Sequence, residues 1–140
     1  MKRFCFVSLL GLTLLAGCQT KPHPDLFIAL GGMNGIENIV DDFLLGLGND
    51  NRIAHHFAEA DPDRLRDKLI EQFCAEAGGG CRYTGDSMQD VHRGMNISHA
   101  DFNALVEVLI EALDRQDVPV AAQNRLLQRL APMHGDIVGH

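Results

Sequence analysis

Tyr83-Thr84-Gly85-Asp86-Ser87-Met88-Gln89-Asp90-Val91-His92-Arg93-Gly94 is the stretch on which the reading of the chain turns. It sets one imidazole, His92, on a short helical turn between the breaks at Gly85 and Gly94. A neutral imidazole held by one ring nitrogen offers the other as a metal ligand, and a backbone carbonyl one turn back is a common way to hold it. No other histidine has that setting. His55 and His56 precede Phe57 in a turn, His99 falls in the first turn of a helix, and His134 and His140 lie near the end.

Outward from this segment, the spacing of apolar residues is helical. Asn34 is placed to cap a helix that buries Ile36, Ile39, Val40, Phe43, Leu44 and Leu47, with Gly46 and Gly48 expected to close it. Asp61 caps the next, Pro62 takes its first position, and Leu65, Leu69, Ile70 and Phe73 form one face up to Gly78-Gly79-Gly80. Ser98 with Asp101 three residues on forms a capping box for a third helix through Phe102, Leu105, Val106, Leu109 and Leu113. Asp117 and Pro119 open a fourth, with Leu126, Leu127, Leu130 and Ile137 facing inward and Pro132 expected to bend it. Four substantial helices and the loose His92 helix predict an all-α domain.

The amino-terminal segment reads as an address. Lys2 and Arg3 start it, Phe4 to Leu15 are apolar, and Leu15-Ala16-Gly17-Cys18 is a small-residue cleavage site. The segment resembles a bacterial lipoprotein signal, which implies a signal peptide over 1–17, a lipidated Cys18 and tether over 18–25, and a folded domain over 26–140. Gln19 after the cysteine implies, by the same resemblance, an outer-membrane lipoprotein with its domain in the periplasm or at the cell exterior. Without Lys2 and Arg3 the chain has 10 basic against 19 acidic side chains, a formal net charge of −9. Nucleic acid and anionic lipid are therefore excluded as partners on charge, since phosphate binding needs clustered cations. The membrane is expected to be met through the lipid alone. Of the four cysteines only Cys74 and Cys81 stay in the domain, and an exported chain keeps disulfides. They are expected to pair; two free buried thiols are the alternative.

An ordered set of short motifs now carries a resemblance. Leu30-Gly31-Gly32, Phe43, His56-Phe57, Gly78-Gly79-Gly80, Tyr83-Thr84-Gly85 and Val91-His92 together resemble the group I truncated haemoglobins, over about Leu26 to Val138. The resemblance implies a two-over-two helical sandwich around haem b, iron protoporphyrin IX, with His92 as proximal iron ligand and Phe57 packed on the porphyrin. It implies that Phe43, Leu44, Leu65 and Leu69 line the distal side, that Tyr83, Met88 and Phe102 form haem-contacting walls, and that Arg64 and Lys68 meet the propionates. It also implies an activity, the binding of a diatomic gas, oxygen or nitric oxide. Nitric oxide dioxygenation is an open enzymatic reading that needs an external reductase, because the chain holds no flavin or nicotinamide motif.

One departure from the family bears on the chemistry. Many members place a tyrosine on the first long helix and a glutamine on the next to hold oxygen by hydrogen bonds; here those positions are Leu44 and Leu69. A missing charge-assisted donor costs retention of about 1.5–3 kcal/mol. Lys68, three residues after Leu65, has two roles open to it: a propionate salt bridge, or a sixth iron ligand as in some members. The second would make the protein a redox or gas sensor or an electron carrier. His55-His56 is expected to be a solvated pair, with distal ligation or opportunistic metal binding as the alternative, and Tyr83 could staple its loop through the hydroxyl.

Overall fold

The computed structural model describes residues 25–140. The readings placed on residues 1–24, the signal and the lipidated Cys18, lie outside the described residues. Among those described, the elements are α1 (Leu26–Ala29), α2 (Gly32–Asn49), a 3₁₀ turn (Ala54–Phe57), α3 (Pro62–Glu76), α4 (Met88–His92), α5 (His99–Arg115), α6 (Val120–Leu130), a second 3₁₀ turn (Ala131–Met133) and α7 (His134–Ile137). The described chain is all-helical, as expected. Helix α2 packs on α3 and α5, and α3 on α6, which makes the two layers; α1 bridges α2 and α6.

Capping chemistry explains where the helices start. The Asp61 carboxylate accepts from Arg64 N at 3.0 Å with Pro62 at the first helical position. Ser98 and Asp101 form the reciprocal capping box, each side chain accepting the other's backbone N–H, at 3.1 and 2.9 Å. Ile36, Ile39, Val40 and Leu126 are fully shielded, and with Phe43, Phe73, Leu109 and Leu113 they form one core between the layers. The periodic positions of the sequence supply about half of it, and Leu26, Leu30, Ile53, Ala104, Val108 and Ala112 are among the residues that complete it.

Three expectations about boundaries are corrected. The cap of α2 is Gly31, not Asn34, because the chain enters the helix through a left-handed residue at φ +86°, which glycine adopts without strain. Nor do Gly46 and Gly48 close α2, which runs to Asn49. Gly46 marks a close helix crossing instead: a Cβ there would lie 2.5 Å from a Val108 methyl carbon on α5. Finally, Pro132 does not bend a long last helix. It falls in the 3₁₀ turn that separates α6 from α7, and Asp117 is a left-handed turn residue at φ +52° outside α6, whose cap is Pro119. The short α1, capped by Asp25, has no counterpart in the sequence reading, since four residues are too few to show a period.

Cys74, on the buried face of α3, is bonded to Cys81 across the glycine loop, with Cα atoms 5.6 Å apart. The same loop is tied to α3 further along. Thr84 N–H donates to the Glu71 carboxylate at 2.9 Å, and the Thr84 hydroxyl meets both its oxygens at 2.9 and 3.1 Å.

Candidate functional site

A cavity of about 530 Å³ opens between α3, α4, α5 and α6, within the size range of small-molecule and cofactor sites. Its wall is mostly apolar. Phe43 and Phe73, with ring centroids 6.2 Å apart, close the floor, and Leu65, Leu69, Phe57 and Phe102 stand along the sides.

His92 lies on this wall at the carboxyl end of α4. The helix is only five residues long, so its ends matter: Ser87 caps it by accepting from Asp90 N at 3.1 Å, and Asp90 answers by accepting from the Ser87 hydroxyl at 2.7 Å and from Arg93 at 2.6 Å. His92 Nδ1 is 2.7 Å from the Met88 carbonyl oxygen. A carbonyl only accepts, so Nδ1 carries the proton and donates, and Nε2 is left with its lone pair. Beyond His92 the chain turns through Gly94 and Asn96, both at positive φ. The carboxyl terminus braces that turn: Asn96 N–H donates to the His140 carbonyl at 3.1 Å and Gly139 N–H to that of Ile97 at 3.0 Å.

Every residue the sequence reading assigned to this site except Leu44 lines the cavity; Leu44 is half-buried against the core. The polar ones are already engaged. The Tyr83 hydroxyl donates to the Asp86 carbonyl at 3.0 Å, so it staples the loop. Burial, first, and the nearby Asp86 carboxylate, second, push that phenol up from its ordinary range. Arg64 sits at the exposed rim with a long 3.4 Å contact to Asp86. Lys68 Nζ donates to Glu71 at 2.8 Å and to the Thr84 hydroxyl at 2.6 Å. These bonds, Lys68 foremost, hold the Glu71 carboxyl down to about 2.

His55 and His56 are not alike. His55 is exposed, whereas the His56 side chain is 12% exposed and lines the cavity, with Nε2 buried and 3.5 Å from the Asp101 carboxylate, too far for a hydrogen bond. The expectation of a solvated pair therefore holds for one member only. The turn packs on α2, and this brings the His56 ring up to Asp101 in the first turn of α5.

Sequence reasoning missed Gln72, Met95, Asp101 and Met133 on the cavity wall. Gln72 was findable, seven residues after Leu65 on the same helical face. Its amide donates toward the sulfurs of Met88, at 3.5 Å, and Met133, at 3.2 Å. Met95 and Met133 lie outside the regular helices, where no period marks them.

The donor set fits a haem group better than a bare ion. No cluster of three or more His, Cys, Asp or Glu among the described residues could hold a metal by itself. A single imidazole on an apolar slot with cations at the mouth suits iron that brings four ligands of its own, a flat apolar ring and two carboxylates.

Known proteins agree with this geometry. The family model for "Bacterial-like globin" matches residues 25–138. The chain is 28% identical over 126 residues to a group 1 truncated hemoglobin of Mycolicibacterium paratuberculosis, covering 90% of this chain and 93% of that one. It is 31% identical over 100 residues to a group 1 truncated hemoglobin of Synechocystis, covering 67% of this chain and 79% of the other. Its fold superimposes on the crystal structure of the Tetrahymena pyriformis truncated hemoglobin in its Fe(III) form with a TM-score of 0.79 at 27% identity, over 82% of this chain and 98% of that one. An apolar cavity with one anchored imidazole, inside a two-layered helical fold matched over residues 25–138, identifies the chain as a member of the bacterial-like globin family, a group 1 truncated haemoglobin with haem as its cofactor.

Proposed function

We propose that this chain is a lipid-anchored globin in which His92 holds the haem iron and the opposite side of the cavity exchanges a diatomic gas, oxygen or nitric oxide. The observation that carries the reading is the 2.7 Å contact of His92 Nδ1 with the Met88 carbonyl. It fixes the tautomer, orients the ring, and leaves Nε2 as the one ring atom with a free lone pair on the cavity wall.

Haem, when bound, supplies an iron centre that takes a small gas and changes oxidation state. The residues of the chain supply the rest. Leu65 and Leu69, one turn apart on α3, keep water from the gas side, and Phe57 and Phe102 pack the ring edge. Arg64 is the better partner for a propionate, because its contact with Asp86 is long and exposed, whereas Lys68 is held by two short bonds. Nitric oxide dioxygenation would draw electrons from an external reductase. The lipid on Cys18 would keep the domain at the outer membrane, facing the periplasm or the cell exterior. A second reading, a sensor or electron carrier with Lys68 on the iron, is disfavoured by the engagement of that amine.

Replacing His92 by Gly in the haem-reconstituted protein should remove the imidazole-bound ferrous spectrum, and added free imidazole should restore it. An unchanged spectrum in the glycine variant refutes the assignment. Mass spectrometry of the membrane-purified chain should find acyl mass on Cys18, and Cys18→Ser should release the protein to the soluble fraction.

A further inference from the structure

The Lys68 amine has two places to go, the interior of the cavity that it lines and Thr84 on the loop at its edge. The structure shows what holds it at the second. Nζ is 2.8 Å from Glu71 Oε1 and 2.6 Å from Thr84 Oγ1. Glu71 in turn is fixed by the Thr84 backbone N–H and hydroxyl, so lysine, carboxylate and threonine form a closed ring of hydrogen bonds between α3 and the loop. The disulfide from Cys74, three residues after Glu71, pins the same loop to the same helix. The covalent tie at Cys81 thus keeps Thr84, three residues on, in the neighbourhood of Glu71.

We propose that Glu71 and Thr84 are positioning residues that latch the Lys68 amine away from the iron and so keep the gas-binding side of the haem open. The proposal deepens the haem reading above and rests on it. To become a ligand the amine would have to surrender one proton to solvent and break two charge-assisted bonds. Neither partner lets it go cheaply: Glu71 keeps its Thr84 bonds in either case, so its carboxylate stays beside the amine. The side chain is 24% exposed, and its aliphatic stem covers the cavity edge while its head faces the loop. Leu65 and Leu69 offer that head nothing to bond.

The test uses the haem-reconstituted mature protein and reads ferric spin state by absorption and electron paramagnetic resonance, with carbon monoxide affinity as second readout. Wild type is expected to be high-spin. Glu71→Gln, Thr84→Val and the double variant should become progressively low-spin as the amine reaches the iron, and adding Lys68→Met should return the double variant to high-spin. If the freed amine occupies the iron in about nine of ten molecules, apparent carbon monoxide affinity falls about tenfold and recovers with Lys68→Met. Latch variants that keep the wild-type spin state and affinity overturn the proposal, and so does a wild type already low-spin that turns high-spin in Lys68→Met. Absence of any Soret band overturns the haem reading along with it; a normal Soret band that is indifferent to the latch residues overturns the latch alone. Thr84→Val, a surface change of nearly equal shape, keeps the test open if Glu71→Gln folds poorly.

Discussion

Leu69→Gln puts a hydrogen-bond donor where the cavity lacks one, and the structure says how large the effect should be. Of the polar groups on that wall, Lys68 is committed to Glu71 and Thr84, the Gln72 amide to two thioethers and the Tyr83 hydroxyl to a backbone carbonyl, while His56 Nε2 has no hydrogen-bond partner. On the proposed haem, dioxygen, which would carry partial negative charge, would meet leucine on the α3 side of the cavity. One new charge-assisted donor is worth about 1.5–3 kcal/mol, which slows dioxygen release by roughly 10- to 150-fold. Carbon monoxide, with less charge, should slow far less. The swap also buries an amide in place of a half-buried apolar side chain, so folding stability should fall by about 1–3 kcal/mol while retention rises. Stopped-flow displacement of dioxygen by carbon monoxide measures the rate. An unchanged release rate in the variant refutes the donor accounting. His56 supplies the control, because its Nε2 is buried without a hydrogen-bond partner. If His56→Phe speeds release in wild type by a comparable factor, the cavity already had a donor and the vacancy argument fails.

Reducing the Cys74–Cys81 bond, with its sequence separation of 7, should lower stability by about 2–2.5 kcal/mol on loop-closure entropy, read as a lower urea midpoint; no shift would mean that the loop is held by its hydrogen bonds alone. Leu126→Ala removes a fully shielded side chain from the core and should cost about 2–5 kcal/mol, visible as a lower Tm with the same fold by circular dichroism. Ser98→Ala should cost about 0.5–2 kcal/mol near neutral pH through the lost cap. The Asp101 carboxyl is held below its ordinary value by the Ser98 hydroxyl first, then the Ser98 amide, with burial opposing and His56 adding to the lowering. A depressed folded value means stability that is present above the unfolded value of 3.8 and lost as pH falls through the folded one. The gap between wild type and Ser98→Ala should accordingly narrow below about pH 4 in acid titrations of unfolding; a gap constant with pH would show that the hydroxyl acts on the helix alone.

Much of this was legible in the sequence because the signals were local. Asp61-Pro62 and Ser98…Asp101 satisfy helix-end donors within four residues, and Leu65, Leu69 and Phe73 repeat on a period that fixes one face. The carbonyl one turn back from His92 follows from helix geometry, and Met88 supplies it. What was not legible depended on residues distant in the chain. Gly46 looked like a helix stop because glycine usually is one; that it admits Val108 becomes visible only when α2 and α5 cross. His56 looked solvated because it falls in a turn beside a second histidine, and only the fold shows it shielded beside Asp101, forty-five residues on. The Lys68–Glu71 spacing was readable as a helix pair, but Thr84, which turns the pair into a closed ring, arrives from the loop.

The ties around α3 and the following loop have a common consequence for the site. α3 carries the apolar wall through Leu65 and Leu69, and the loop leads directly into α4 with His92. Cys74–Cys81, Glu71–Thr84 and Arg64–Asp86 join helix to loop at three successive levels, while the strap at Asn96, Ile97, Gly139 and His140 fixes the far side of α4. A five-residue helix has too few hydrogen bonds to hold a direction by itself. The His92 imidazole is aimed because both flanking segments are anchored to longer elements. Substitutions that cut the anchors should therefore disturb iron coordination even though none of them touches the imidazole.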